Sequence, residues 1–189
     1  MGNCSSPLRQ AINRYDAEAA TNILQEAGPM SADVINEDQT ADCILDILCC
    51  SVRKQSPMFH VVAQGNVEMA NVLIKYGADL GARGAMFNET LLHWAMRRNR
   101  MNMVQVLCEH EPSLVDALDC DGRSALHWLC MSSKIIISKG DTIEVLKYIL
   151  ERMKPDTIQQ KDVCEHDALF YAKKYEYSEI VSVLENRCV

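Results

Sequence analysis

The chain has 189 residues, 48% of them apolar and 24% charged, enough for one domain with a continuous buried core. Its formal charge of −7 argues against nucleic acid as the main partner, because phosphate contacts demand a surplus of Lys and Arg, and against simple electrostatic adhesion to anionic lipid. No run approaches the roughly 20 apolar residues of a membrane span, and the amino terminus lacks the charged segment and apolar core of a secretory signal.

The chain opens Met1-Gly2-Asn3-Cys4-Ser5-Ser6, which fits the N-myristoylation pattern M-G-x-x-x-[ST]. Once Met1 is removed, an acyl chain can join the free amine of Gly2. One myristoyl group gives only marginal, reversible membrane binding, so stable anchoring needs a second signal. Arg9 and Arg14 are the nearby cations, too few for a polybasic signal, which leaves Cys4 as the candidate for a second, thioester-linked chain. The plain alternative is a start codon followed by a small residue. Residues 1–6 are thus expected to form an acylated tail, and residues 7–188 the folded domain.

Beyond the tail, Ser6-Pro7-Leu8-Arg9-Gln10-Ala11-Ile12 and Ala19-Ala20-Thr21-Asn22-Ile23-Leu24 read as a pair of short helices. An extra stretch, residues 30–55, follows; its apolar run Ile44 to Cys50 could form an additional helix. Three segments then align without gaps. They start Ser56-Pro57-Met58-Phe59-His60, Thr90-Leu91-Leu92-His93-Trp94 and Ser124-Ala125-Leu126-His127-Trp128, at two successive intervals of 34 residues. Each leads into a second pattern with apolar residues at helical spacing, beginning at Val67, Met101 and Ile143. In the last of these, residues 134–141 lengthen the link between the helices. A fifth, weaker copy is Asp167-Ala168-Leu169-Phe170-Tyr171-Ala172 with Glu179-Ile180-Val181-Ser182-Val183-Leu184. Repeats therefore start near 6, 56, 90, 124 and 167, and degenerate terminal copies are expected because end repeats need a polar outer face.

The 34-residue unit with its T-P-L-H-like start resembles the ankyrin family, whose unit is a turn followed by two helices. The resemblance implies an all-α ankyrin-repeat solenoid of about five helix–turn–helix repeats, covering about Ser6 to Arg187. Thr or Ser would cap each first helix, and Pro would sit in its first turn, where no amide donor is missed. His93 and His127 would bridge backbone groups of adjacent turns. Tyr76-Gly77-Ala78-Asp79 would close a second helix, and Asp119-Cys120-Asp121-Gly122-Arg123 would form the turn into the next repeat. The Gly expected where the chain reverses between helices is replaced by Tyr15, Asn99, Ser133 and Glu176 in four copies, so those turns should be less regular.

Little in the sequence suggests catalysis. No G-x-S-x-G, H-E-x-x-H or P-loop is present. The nine cysteines lack CxxC pairs, and apart from Cys4 they are expected to be reduced thiols filling the core. Cys108, His110, Cys120, His127 and Cys130 match no common zinc module, and the calcium-loop likeness of Asp119 to Gly122 lacks its remaining oxygen ligands. No metal and no cofactor is expected.

The residue after T-P-L-H is Gln10, His60, Trp94, Trp128 or Tyr171. In an ankyrin stack this position faces the concave side of the first helices, so His60, Trp94, Trp128 and Tyr171 should form an aromatic ladder. Aromatics with a polar edge are favoured interface anchors; the bland alternative is that they fill gaps between helices. Arg97, Arg98 and Arg100 add a basic patch suited to an acidic segment of a partner, or to a helix carboxyl end. Leu92-His93-Trp94-Ala95 also resembles repeats of ankyrin-bearing palmitoyltransferases, but this sequence shows neither their membrane spans nor their D-H-H-C domain, so the likeness concerns repeat subtype. The expectation is a monomeric, non-catalytic protein-interaction adaptor, cytoplasmic and peripheral on the cytosolic face of a membrane through its acyl chains. The alternative is a soluble cytosolic or nuclear inhibitor of the kappa-B inhibitor type.

Overall fold

The computed structural model describes residues 7–28, 56–132 and 142–187. The acylation candidates Gly2 and Cys4, the stretch 30–55 and the stretch 134–141 lie outside the described residues.

Ten helices pair off in chain order. They are α1 (Pro7–Asn13) with α2 (Ala17–Ala27), α3 (Pro57–Gln64) with α4 (Val67–Lys75), α5 (Leu91–Arg97) with α6 (Met101–His110), α7 (Ala125–Cys130) with α8 (Thr142–Leu150), and α10 (Ala168–Lys174) with α11 (Ser178–Glu185). A short α9 (Pro155–Ile158) and a 3-10 turn (Pro112–Asp116) sit in the connections. The first helices of the pairs contact one another in the order α1–α3–α5–α7–α10, and the second helices in the order α2–α4–α6–α8–α11. The described residues thus form a two-layer solenoid of five helix pairs, with isolated bridges and no strand among them.

Each helix is too short to persist alone; burial between neighbours holds it. Leu92, Ala95 and Met96 on α5 are fully buried, as are Met103, Val104 and Leu107 on α6, and each large side chain contributes about 1.5–3 kcal/mol by leaving water. The core runs unbroken from Leu8 and Leu24 to Ile180 and Leu184.

The inter-helix turns are more regular than their composition predicted. Tyr15, Asn99 and Glu176 adopt φ of 60°, 51° and 61°, beside 78° for Gly65. The backbone N–H of the next residue reaches back five positions in every case: Asp16 to Ala11, Asn66 to Val61, Arg100 to Ala95 and Tyr177 to Ala172, at 3.0–3.3 Å. This is the Schellman closure, and it needs a left-handed residue whatever its side chain. Stacking against neighbouring pairs offsets the roughly 1–2 kcal/mol that a non-glycine residue costs there. Ser133 is outside the described residues. At Gly77, φ is 89°, and Ala78 N–H donates to the Leu73 carbonyl at 3.0 Å, so the Tyr76 to Asp79 segment closes α4 as expected.

Capping is less uniform. The Thr90 hydroxyl accepts from His93 N–H at 3.4 Å, Asp167 accepts from Phe170 N–H at 2.7 Å, and Asn66 and Asp16 cap second helices. Ser56 makes no side-chain cap bond, and its buried hydroxyl has no partner. Pro57 in the first turn pre-sets the backbone there instead.

Candidate protein-interaction surface

Among the described residues the chain makes a hairpin finger that leads into α5, α7 and α10. In the finger before α7, Leu118 bridges Ser124, Asp119 N–H donates to the Arg123 carbonyl at 2.9 Å, and Gly122 takes φ 73°. The finger before α10 repeats it with Asp162 and His166, also at 2.9 Å. Neighbouring fingers are joined by Cys120 N–H to the Phe87 carbonyl at 2.7 Å and Val163 N–H to the Asp121 carbonyl at 2.9 Å.

His93 and His127 clamp these fingers to the helices. Nδ1 of His93 accepts from Thr90 N–H at 3.1 Å, and its Nε2 meets the Arg123 carbonyl of the next finger at 3.0 Å. His127 repeats this with Ser124 N–H at 3.1 Å and the His166 carbonyl at 3.3 Å. The pairing assigns the proton to Nε2 in both rings. Burial, the largest influence, holds both imidazoles below their usual pKa, against the opposing pull of the carbonyl bonds and nearby carboxylates.

The ladder residues lie at different depths. Trp128 is 5% exposed and Tyr171 7%, whereas Trp94 and His60 are half-buried. Each polar edge is engaged. Trp128 Nε1 donates to Asp119 Oδ2 at 2.8 Å, Tyr171 OH to Asp162 Oδ2 at 2.6 Å, and Trp94 Nε1 to Glu89 Oε1 at 3.3 Å. His60 Nε2 pairs with Gln64 Nε2. The acceptors are finger carboxylates whose other oxygen holds the turn. Asp119 Oδ1 accepts from Asp121 and Arg123 N–H at 2.9 and 2.8 Å, and Asp162 Oδ1 from Cys164 and His166 N–H at 2.9 and 3.0 Å. One period earlier, Ala85 stands where Asp119 would, and Glu89 takes over from the other strand, its Oε2 accepting from Phe87 N–H at 2.9 Å. Gly84 makes room for it, since a Cβ there would lie 2.1 Å from Glu89 Cδ. Sequence reasoning missed these three acids. The signal was the nine-residue spacing from Asp119 to Trp128 and from Asp162 to Tyr171.

Trp94 and Trp128 stand next to each other, centroids 6.3 Å apart, and the arginines lie on them. Arg97 Cζ is 5.3 Å from the Trp128 centroid and Arg98 Cζ 5.8 Å from that of Trp94, within cation–π range. Arg100 lies across Gly65, where a Cβ would come within 2.8 Å of its Cδ. Tyr171 is set apart from this group, packed between His127, His166 and Phe170.

Asp162, Cys164 and His166 place three metal-type donor atoms within 4.8 Å of one another. Asp162 already accepts from two backbone amides and the Tyr171 hydroxyl, and Arg123 Nε lies 3.5 Å from its Oδ2. Burial pushes its pKa up, and these contacts overcome that to hold it down at about 2. The guanidinium opposes a second cation, so this carboxylate serves the turn. Cys108 and Cys130 are buried core thiols, pushed up to about 11 and about 12 by burial. Cys120 and Cys164 are free and exposed on the fingers, contrary to the expectation that they fill the core. A shallow cleft of about 440 Å³ beside α11 includes Lys173, Glu176, Ser182 and Glu185 in its lining and is crossed by a 2.8 Å Lys173–Glu185 ion pair. Among the described residues, no helix is long and apolar enough to cross a membrane.

Comparison with known families settles the repeat type, because residues 58–139 match the family model described as ankyrin repeats (3 copies). Residues 58–139 are ankyrin repeats. The solenoid is therefore of the ankyrin type, a module that generally binds proteins and does not catalyse. The chain is similar to an ankyrin repeat protein of Rickettsia bellii (strain RML369-C), 26% identical over 125 residues, which are 65% of this chain and 18% of that protein. It is also similar to the mouse (Mus musculus) palmitoyltransferase ZDHHC13, 33% identical over 78 residues, 40% of this chain and 12% of that protein. The chain thus spans under a fifth of the length of either relative.

Proposed function

We propose that this chain is a monomeric, non-catalytic adaptor that binds a partner protein through the inner helices of its ankyrin stack. Acylation at Gly2 and Cys4 would hold it on the cytosolic face of a membrane. One observation carries the binding reading: Trp94, half-buried, and the exposed Arg97 and Arg98 share one edge of the inner row. Aromatic and Arg side chains at the rim of a rigid scaffold are the residue types that dominate protein interfaces. His60, one repeat earlier on α3, extends the same face. Trp128 and Tyr171 would act from beneath, by supporting Arg97 and by tying the fingers to the helices.

The membrane reading rests on the run Met1 to Ser6 and on the two-signal requirement for stable anchoring. Intact and N-terminal peptide masses of protein taken from its own cells test it directly. A myristoyl increment on Gly2, with or without a thioester on Cys4, is the expected result, together with loss of membrane association in Gly2→Ala. An unmodified or acetylated Gly2 would leave a soluble inhibitor of the same architecture. For the binding face, Trp94→Ala combined with Arg98→Ala should abolish partner capture at a temperature where the variant, though less stable than the parent, keeps the parent's helical circular dichroism. Full capture by that variant would remove this edge from the reading.

A further inference from the structure

We infer that the segment docking on this edge is acidic: a carboxylate-rich stretch of a partner protein that pairs with Arg97, Arg98 and Arg100 and sets an apolar side chain against Trp94. The inference rests on the proposed binding face and adds the chemistry of its occupant.

The first observation is electrostatic. The chain has 26 acidic and 19 basic side chains, so a cluster of cations without carboxylates stands out against its overall charge. Lys154, Lys161 and Lys173 lie 3.6, 3.6 and 2.8 Å from carboxylate oxygens. Arg97, Arg98 and Arg100 are exposed, yet none ion-pairs with a carboxylate among the described residues. Glu89, which pairs with the Trp94 edge, is buried and bonded through both oxygens to Phe87 N–H and Trp94 Nε1. Three like charges within four residues repel one another, and nothing described in the molecule neutralises them.

The second observation is their support. Each arginine rests on a different fixed element: Arg97 on the Trp128 ring, Arg98 on the Trp94 ring, and Arg100 along the Cα of Gly65. Asn99, at φ 51° with Arg100 N–H bonded to the Ala95 carbonyl at 3.0 Å, fixes the turn that spreads Arg98 and Arg100 apart. A guanidinium stacked on a ring has lost part of its rotamer freedom, so pairing it with a carboxylate costs less entropy and preserves bidentate geometry. Complementing the carboxyl end of α5 explains a cation at Arg97 or Arg98. It does not explain Arg100, which precedes α6, or the two aromatic platforms. The surrounding negative charge of the chain would repel an acidic segment elsewhere on its surface, so this edge also sets the register.

The two tryptophans of the chain are both in the patch, so intrinsic fluorescence reports its occupancy. Displayed random peptides would be selected on the intact chain, and the enriched ones synthesised and titrated against Trp emission. Expected are peptides with a surplus of Asp and Glu and an apolar residue among them. Their binding should weaken with added salt and drop by about tenfold or more in the Arg97→Glu, Arg98→Glu, Arg100→Glu variant, with partial retention when all three are Lys. Enriched peptides that are neutral or basic, with Trp94-dependent binding indifferent to the arginines, would overturn the acidic occupant and leave the binding face intact. Failure of any peptide to enrich would count against the binding face itself. Arginine-dependent binding of phosphatidylserine vesicles with no acidic peptide selected would overturn the inference in favour of a lipid surface.

Discussion

Acidification should loosen the repeat stack through His93 and His127. Both imidazoles are fully buried, each with Nδ1 accepting from a backbone N–H and Nε2 facing a carbonyl of the next finger. Protonation turns Nδ1 into a donor: it loses the Thr90 or Ser124 N–H, is left only the adjacent hydroxyl oxygen, at 2.7 or 3.0 Å, as an acceptor, and places a charge in a buried site. Burial leads the causes that lower both pKa values from 6.5, so the folded state binds fewer protons than the unfolded chain. Stability from these groups is complete above about pH 6.5 and falls as pH drops through that value toward the folded pKa. Between about pH 7.5 and about pH 5.5 each group can remove up to about 1.4 kcal/mol, or about 2.7 kcal/mol for the two. With a urea slope of about 2–3 kcal/mol/M, the midpoint should move down, by no more than about 1 M. Helical circular dichroism against urea at the two pH values measures it, for the parent chain and for His93→Gln with His127→Gln. The double variant should start less stable and lose much less on acidification. An unchanged parental midpoint, or an equal loss in the double variant, would refute the clamp as the source.

Two further changes probe the carboxylates that hold the fingers. Trp128→Phe keeps an aromatic ring but strips the donor from buried Asp119, which should cost about 1–3 kcal/mol. Trp94→Phe should cost less, because that bond is 3.3 Å long and its indole is half-exposed; urea midpoints giving the reverse order would contradict the assignment. Gly84→Ala puts a Cβ within 2.1 Å of Glu89 Cδ and should cost about 1–3 kcal/mol by displacing that carboxylate. Adding Glu89→Ala should make the pair strongly non-additive in the same denaturation assay, whereas simple additivity would show that Glu89 is not what Gly84 accommodates.

The helix pairs, their order and their ankyrin type were legible along the chain, because a repeat writes its burial pattern into the sequence at a fixed interval. Leu92, Ala95 and Met96 recur as Leu126, Leu129 and Cys130 since each packs against the same kind of neighbour. The candidate surface was legible as a set of residue types, and its depth was not. Trp94 and Trp128 occupy one position of the motif, yet Trp128 is 5% exposed with the Arg97 side chain from the preceding repeat over its ring. That burial comes from a contact between repeats, which the sequence of one repeat does not encode. The same holds for Tyr15 and Glu176, whose side chains argue against a regular turn while their φ of 60° and 61° is held by the packed helices on either side. Periodicity determined which elements form. Contacts between successive repeats decided which aromatic rings stay accessible, where the finger carboxylates point, and that three arginines stand supported and without a carboxylate partner among the described residues.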